Sequence, residues 1–223
     1  MGNLVGERKA LASAILAFYA FLFFIVAMAP PPGWRPCFAA LGLVYGTGFF
    51  ALVAGYFWAR WYAIGLGLSG LISAAVSIVL WGAAVARAFD GRKEWRERFH
   101  LDEAGTHRLG KAIIRVGISL PYVVMYALAP REDAALALVA GLGGLLATAG
   151  FFGLVRMRTW SVLALAAAAA LTAGSIFVLP EAVAPLGCGY GVHLALSGSA
   201  ATVLLAWAVA PLCAPMWRYL RGG

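Results

Sequence analysis

Charge is what this sequence has least of. Only 12% of its 223 residues are Asp, Glu, Lys or Arg, where a soluble domain carries roughly 25%. Acidic groups are the scarcer kind, nine against seventeen basic ones. With 63% hydrophobic residues and a mean hydropathy of +0.88, there are too few charges to cover a water-facing surface. A soluble globular domain is excluded on that ground, and a bilayer is the solvent that fits.

Cysteine is also sparse. Cys37, Cys188 and Cys213 show no CxxC or zinc-ligand spacing, which excludes a disulfide framework and a Cys-based metal site. HExxH, GxSxG, Walker A and GxGxxG are all missing. Three histidines are too few and too scattered for a haem pair. No catalytic residue and no cofactor is therefore assigned.

What is present is a series of continuous apolar runs of the length that spans a ~30 Å hydrocarbon core at ~1.5 Å per residue. A β-barrel would instead show short stretches of alternating polarity. The fold class is an all-α integral membrane protein, a single transmembrane domain over residues 1–223 in which seven spans are expected. They are Ala10–Ala29, Cys37–Trp58, Trp61–Ala86, Ala112–Ala129, Ala134–Val155, Trp160–Leu179 and Val192–Cys213. Breakers separate them: Pro30-Pro31-Pro32-Gly33, the Ala59-Arg60 turn, Pro130-Arg131-Glu132-Asp133, the basic turn Arg156-Met157-Arg158, and Pro180-Glu181. Ala27-Met28-Ala29 has the look of a leader cleavage site. The run before it is too long for a leader and Pro30 would follow the cut, so it reads as a retained span.

A repeat organises the runs. Lys9-Ala10-Leu11 and Lys111-Ala112-Ile113 each open a span. Ala29-Pro30 and Ala129-Pro130 each close one. Gly48-Phe49-Phe50-Ala51-Leu52-Val53 matches Gly150-Phe151-Phe152-Gly153-Leu154-Val155, and Trp61 and Trp160 each follow a basic turn. The offsets are 102, 100, 102 and 99 residues, in order along the chain. Residues 10–86 and 112–180 then form two three-span units, and an odd number of crossings makes the second inverted relative to the first. The seventh span, 192–213, is extra.

Seven spans place thirteen Lys/Arg residues on one side and four on the other. The basic bias puts the N-terminus outside, the C-terminus in the cytoplasm and the Arg87–Lys111 segment inside, in a multi-pass protein of a bacterial inner or plasma membrane. Arg8 and Lys9, directly before the first span, oppose that orientation. An even number of spans is the rival.

No Asp, Glu or Lys falls inside a span, which argues against ion-coupled transport and against acid/base chemistry at membrane depth. Arg115 lies one turn into its span, within reach of the headgroups. Gly65, Ser69, Ser73 and Ser77 recur every four residues; Gly42 and Gly46 form a GxxxG; Ala140, Gly144 and Thr148 repeat the spacing. Such faces let helices pack closely, and the serines are alternatively a polar pathway. Gly117 and Pro121, with Tyr122 and Tyr126 beyond, mark a kink in the fourth span. On a helix His100, Glu103 and His107 would share a face and are the weak metal candidates, against the simpler reading of a solvated loop. Trp95 and Phe99 share a face among Arg92, Lys93, Arg96 and Arg98, the pattern of a helix lying on anionic lipid headgroups.

The partners implied are the bilayer and its anionic headgroups, with a second copy or a membrane-complex partner for the small-residue faces and no nucleic acid. Two functions follow: a small transporter or channel for a weakly polar or lipid-like solute, and a non-catalytic subunit or scaffold of a membrane complex. A lipid-modifying enzyme ranks third, for want of a nucleophile or metal site.

Overall fold

The computed structural model describes residues 2–70, 73–90, 102–183 and 188–220, with side chains described over 5–70, 73–89, 102–177 and 194–214. The described residues form nine helices and no strand: α1 (Gly2–Met28), α2 (Arg35–Ala54), α3 (Ala59–Leu68), α4 (Ala74–Leu80), α5 (Ala83–Asp90), α6 (Glu103–Leu128), α7 (Ala134–Val155), α8 (Trp160–Val183) and α9 (Cys188–Leu220). Six of them, α1, α2, α6, α7, α8 and α9, are long and apolar enough to cross a membrane. The chain is a multi-pass helical membrane protein, as its composition requires.

Local chemistry sets the helix ends. Asp102 caps α6, its carboxylate accepting from Gly105 N–H at 2.6 Å. This cap starts α6 nine residues before the expected Ala112, so the helix runs on beyond the apolar stretch. Asp133 caps α7 by accepting from Ala135 N–H at 2.8 Å. At the C-terminus of α6, Arg131 donates to the carbonyls of Tyr126, Ala127 and Ala129, supplying partners for orphan groups of the last turn. Gly55 ends α2 at φ +71°, a left-handed conformation that glycine adopts without strain.

The long helices turn large apolar side chains outward, including Phe18 and Phe21 on α1, Leu138 and Leu145 on α7, and Phe177, 85% exposed, on α8. Acyl chains would cover such a surface. The interior is packed solid around Leu16, Leu52, Tyr62, Ile113, Phe151 and Leu165, with the rings of Tyr62 and Phe151 stacked at 4.6 Å.

Contacts at the two ends of the bundle fix the path of the chain. At one end the α1–α2 loop meets the α6–α7 turn: a Cβ on Gly33 would lie 2.7 Å from Pro130 Cγ. At the other end Lys9 Nζ donates to Val53 O (3.4 Å) and Arg60 Nε donates to Leu80 O (3.0 Å). At this same end a Cβ on Gly110 would lie 2.9 Å from the Trp61 ring. So α2 arrives at the Arg60 end, α3 leaves it, α4 returns to it, and α6 departs from it again.

This corrects the expected third span. Trp61–Ala86 is no single crossing helix but a helical hairpin, α3 and α4, followed by the short α5. The cause lies in its composition. Gly65, Gly67, Gly70 and Gly82 weaken the helix, and Ser69 and Ser73 offer its backbone carbonyls competing hydrogen bonds. Six long helices and a hairpin stand where seven spans were expected.

The repeat changes with it. Both α1 and α6 run from the Arg60 end to the Pro130 end, so the two units follow in the same sense and are not inverted. The landmarks do recur locally. A Cβ on Gly48 would lie 3.0 Å from Leu66, and one on Gly150 would lie 2.7 Å from Leu165; each leucine is the fifth residue after its tryptophan. The Trp-led elements themselves differ, since α3 has 10 residues and α8 has 24.

Close packing at glycine makes a direct test. A Cβ on Gly117 would lie 2.9 Å from Tyr62 O and 3.1 Å from Gly65 Cα, whereas one on Gly141 meets nothing within 4 Å. Gly117→Leu should lower the melting temperature in detergent, by an overpacking penalty of about 1–3 kcal/mol, and Gly141→Ala should not. Equal melting of the two variants would contradict a backbone-to-backbone contact between α3 and α6.

Candidate functional site

The hairpin is where polar groups gather among the long apolar helices. Ten residues of α3 rise ~15 Å, half the thickness of a ~30 Å hydrocarbon core. The hairpin's two arms pair in antiparallel register. Arg60 bonds Leu80 at the base, Ser77 Oγ donates to Ile64 O at 2.7 Å midway, and Ser73 Oγ lies 3.2–3.4 Å from the carbonyls of Leu66, Gly67 and Gly70 near the tip. Ser69 Oγ donates back to Leu66 O at 2.7 Å.

A broken helix leaves carbonyls without partners, and in hydrocarbon each one costs several kcal/mol. The serines add donors from across the break, Ser73 to carbonyls at the end of α3 and Ser77 to Ile64 O within it. Ser73 and Ser77 are both buried, and the gap between the arms is so small that a Cβ on Gly67 would collide with Ser77 Oγ.

The hairpin rests on α6. Gly65 has no room for a side chain, being closed off by Ile114 O and by Gly117 Cα at 2.9 Å. One turn further, Tyr122 donates its phenolic proton to Ser69 O at 2.8 Å. Trp61 with Gly110, Gly65 with Gly117 and Ser69 with Tyr122 form a parallel ladder between α3 and α6. Tyr62 ties the hairpin to α2, donating to Val44 O at 3.0 Å.

The stripe expected along one helix is thus divided. Gly65 lies within α3, Ser69 caps its C-terminus, Ser73 sits at the mouth of α4 and Ser77 lies within α4. The other small residues go to separate seams. Gly42 faces the Phe24 ring of α1 at 2.9 Å, Gly46 faces Ala20 at 3.9 Å, and Gly144 faces Ala127 of α6 at 2.7 Å, each measured from the position of an added Cβ. Thr148 is exposed and bonds its own helix at Gly144 O, 2.9 Å away.

Among the described residues no group of three His, Cys, Asp or Glu converges. Glu103 and His107 lie one turn apart on the exposed first turns of α6, while His100 is outside the described residues. So are Arg92, Lys93, Trp95, Arg96, Arg98 and Phe99 of the expected lipid-headgroup segment. Leading into that segment, α5 buries Val85 and Phe89 and exposes Arg87, an amphipathic pattern suited to an interface.

A second polar contact joins α6 to α9. Pro211 has no N–H, so the carbonyl four residues earlier, on Trp207, loses its helical donor. The guanidinium of Arg115 takes that place, donating to Trp207 O at 2.8 Å and lying 4.3 Å over the Trp207 ring. The arginine expected to reach toward headgroups is instead engaged with a neighbouring helix. The signal was in the sequence, as a proline inside the last apolar run.

One open groove borders the hairpin, about 390 Å³ between α1 and α4, lined by Ala14, Ile15, Phe18, Tyr19 and Ala75. Its walls are apolar apart from the tyrosine hydroxyl. The chemistry on offer across the whole region is hydroxyl, phenol and carbonyl, which suits hydrogen bonding and apolar contact.

The Arg115 contact is testable by a double-mutant cycle. Arg115→Ala should lower stability by about 1–3 kcal/mol through the orphaned carbonyl. Pro211→Ala restores an N–H at that position, so Arg115→Ala should cost less in that background. Additive losses in melting temperature would contradict the assignment.

Comparison with known proteins finds no family, no curated protein and no solved structure that matches this chain.

Proposed function

We propose that the chain is a small transporter or channel for a weakly polar or lipid-like solute, with the 59–80 hairpin as its gating element. The observation that carries this reading is a helical hairpin among spanning-length helices, closed by serine hydroxyls and anchored to α6 by Tyr122; the ~15 Å rise of α3 would carry its tip to about mid-bilayer. Irregular backbone at that depth is tolerated where it is buried in protein or lines a cavity, and transporters build their sites from interrupted helices of this kind. A site made of hydroxyls, next to an apolar groove, favours a solute of low polarity. The recurring landmarks add support as a parallel repeat, a relation that transporters also use.

For orientation we propose six crossings with the Arg60 end in the cytoplasm. Fifteen Lys/Arg residues then lie on the cytoplasmic side, with Arg35 and Arg131 alone outside. This is a steeper bias than thirteen to four, and it removes the conflict over Arg8 and Lys9. The C-terminus stays cytoplasmic and the N-terminus joins it. Single cysteines introduced at Gly6 and at Glu132, in a background without native cysteines, should label from the cytoplasmic and the outer side respectively. Labelling of position 6 from outside would overturn this topology.

Flux through proteoliposomes tests the function. Purified protein should accelerate the exchange of a short-chain fluorescent lipid between leaflets, read by a membrane-impermeant quencher. Tyr122→Phe removes the donor at the tip and should change that rate several-fold. A rate equal to that of protein-free vesicles would contradict the reading.

That null rate would favour the second function, a non-catalytic subunit of a membrane complex. A specific observation supports it: Ala166, Ala170 and Gly174 form an exposed small-residue face on α8, and a Cβ on Gly174 would meet nothing within 4 Å. Helices associate in lipid through faces of this type.

A further inference from the structure

We propose that an anionic diacyl phospholipid binds the groove between α1 and α4, its phosphate against Arg8 and an acyl chain along Ile15 and Phe18. The inference stands on the groove and its rim and does not rest on the transport reading. The groove measures about 390 Å³, within the ~300–1,000 Å³ of ligand sites generally, and an open trough with an apolar lining suits a hydrocarbon chain.

The rim supplies the charge. Arg8 lies seven residues before Ile15, almost two turns, and so on the same face of α1 and ~10 Å nearer the membrane surface. Its Nη1 sits 3.5 Å from where a Cβ on Gly82 would be, at the junction between α4 and α5. Arg8 therefore lies on the trough's face of α1, ~10 Å along the helix from Ile15.

Three cations gather at this rim, and they differ in employment. Lys9 donates to Val53 O and Arg60 to Leu80 O, both at helix C-termini. Arg8 is exposed, and no described residue bonds or pairs with its guanidinium. A cation with no partner among the described residues, above an apolar trough, complements a negative head joined to an apolar tail. A zwitterionic headgroup would bring its own ammonium toward the same cations, which is why the occupant is anionic.

The test uses the full chain in nanodiscs with two probes, phosphatidylglycerol and phosphatidylcholine, carrying the same photoactivatable acyl chain. Cross-links mapped to residues 14–19 and Ala75 should favour phosphatidylglycerol by about fivefold, the scale of one basic contact at a membrane surface. Arg8→Gln should abolish the preference at those residues, and Arg8→Lys should retain it. For the unaltered protein, raising salt to 1 M should bring the two probes level, because the interaction is screened. Equal labelling by the two probes at low salt would overturn the proposal, as would a preference that survives Arg8→Gln.

Discussion

In hydrocarbon a backbone carbonyl must have a donor, and the fold is arranged around the places where the helix itself provides none. Three such places among the described residues are the hairpin, the end of α6 and the proline-interrupted α9. The donors come from Ser73 and Ser77 in the first, Arg131 in the second and Arg115 in the third. The few polar side chains of a charge-poor sequence are concentrated on these tasks. Without them the glycine- and serine-rich arms of the hairpin would lose the hydrogen bonds that join them.

Glycine does the complementary work. Once the carbonyls are satisfied within the hairpin, its outer surface is smooth enough to lie directly on α6, and Gly65 and Gly117 let the two backbones touch. In lipid no hydrophobic force draws helices together, so close van der Waals contact and hydrogen bonds across the seam carry the association. The Tyr122–Ser69 bond fixes the depth of the tip, and the Trp61–Gly110 contact fixes its base. The hairpin is thereby a docked element with one polar latch.

The membrane class and most helices were legible in the sequence because length and hydropathy alone determine them. The hairpin was not. Its hydropathy over Trp61–Ala86 is that of a span, and four-residue recurrence of Gly65, Ser69, Ser73 and Ser77 mimics the face of one continuous helix. What separates the two cases is tertiary. Arg60 must find Leu80 and Ser77 must find Ile64, pairings that no local pattern encodes. One clue did point the right way: the density of glycine within the run. The start of α6 was misplaced for a different reason, since a helix capped by Asp102 can continue into water, where hydropathy gives no guidance. Of the candidate site, the residue types were visible and their division between two helices was not.

The Arg115–Trp207 contact also orders events in time. Its partners are 92 residues apart, which at ordinary rates of synthesis is on the order of 5–20 s. Throughout that interval α6 has emerged with a cation some three turns along it, and the carbonyl that will receive it has not been made. Until α9 arrives, the guanidinium has no such carbonyl to meet. The contact thus couples α6 to α9, and truncation before Trp207 would remove the acceptor of Arg115.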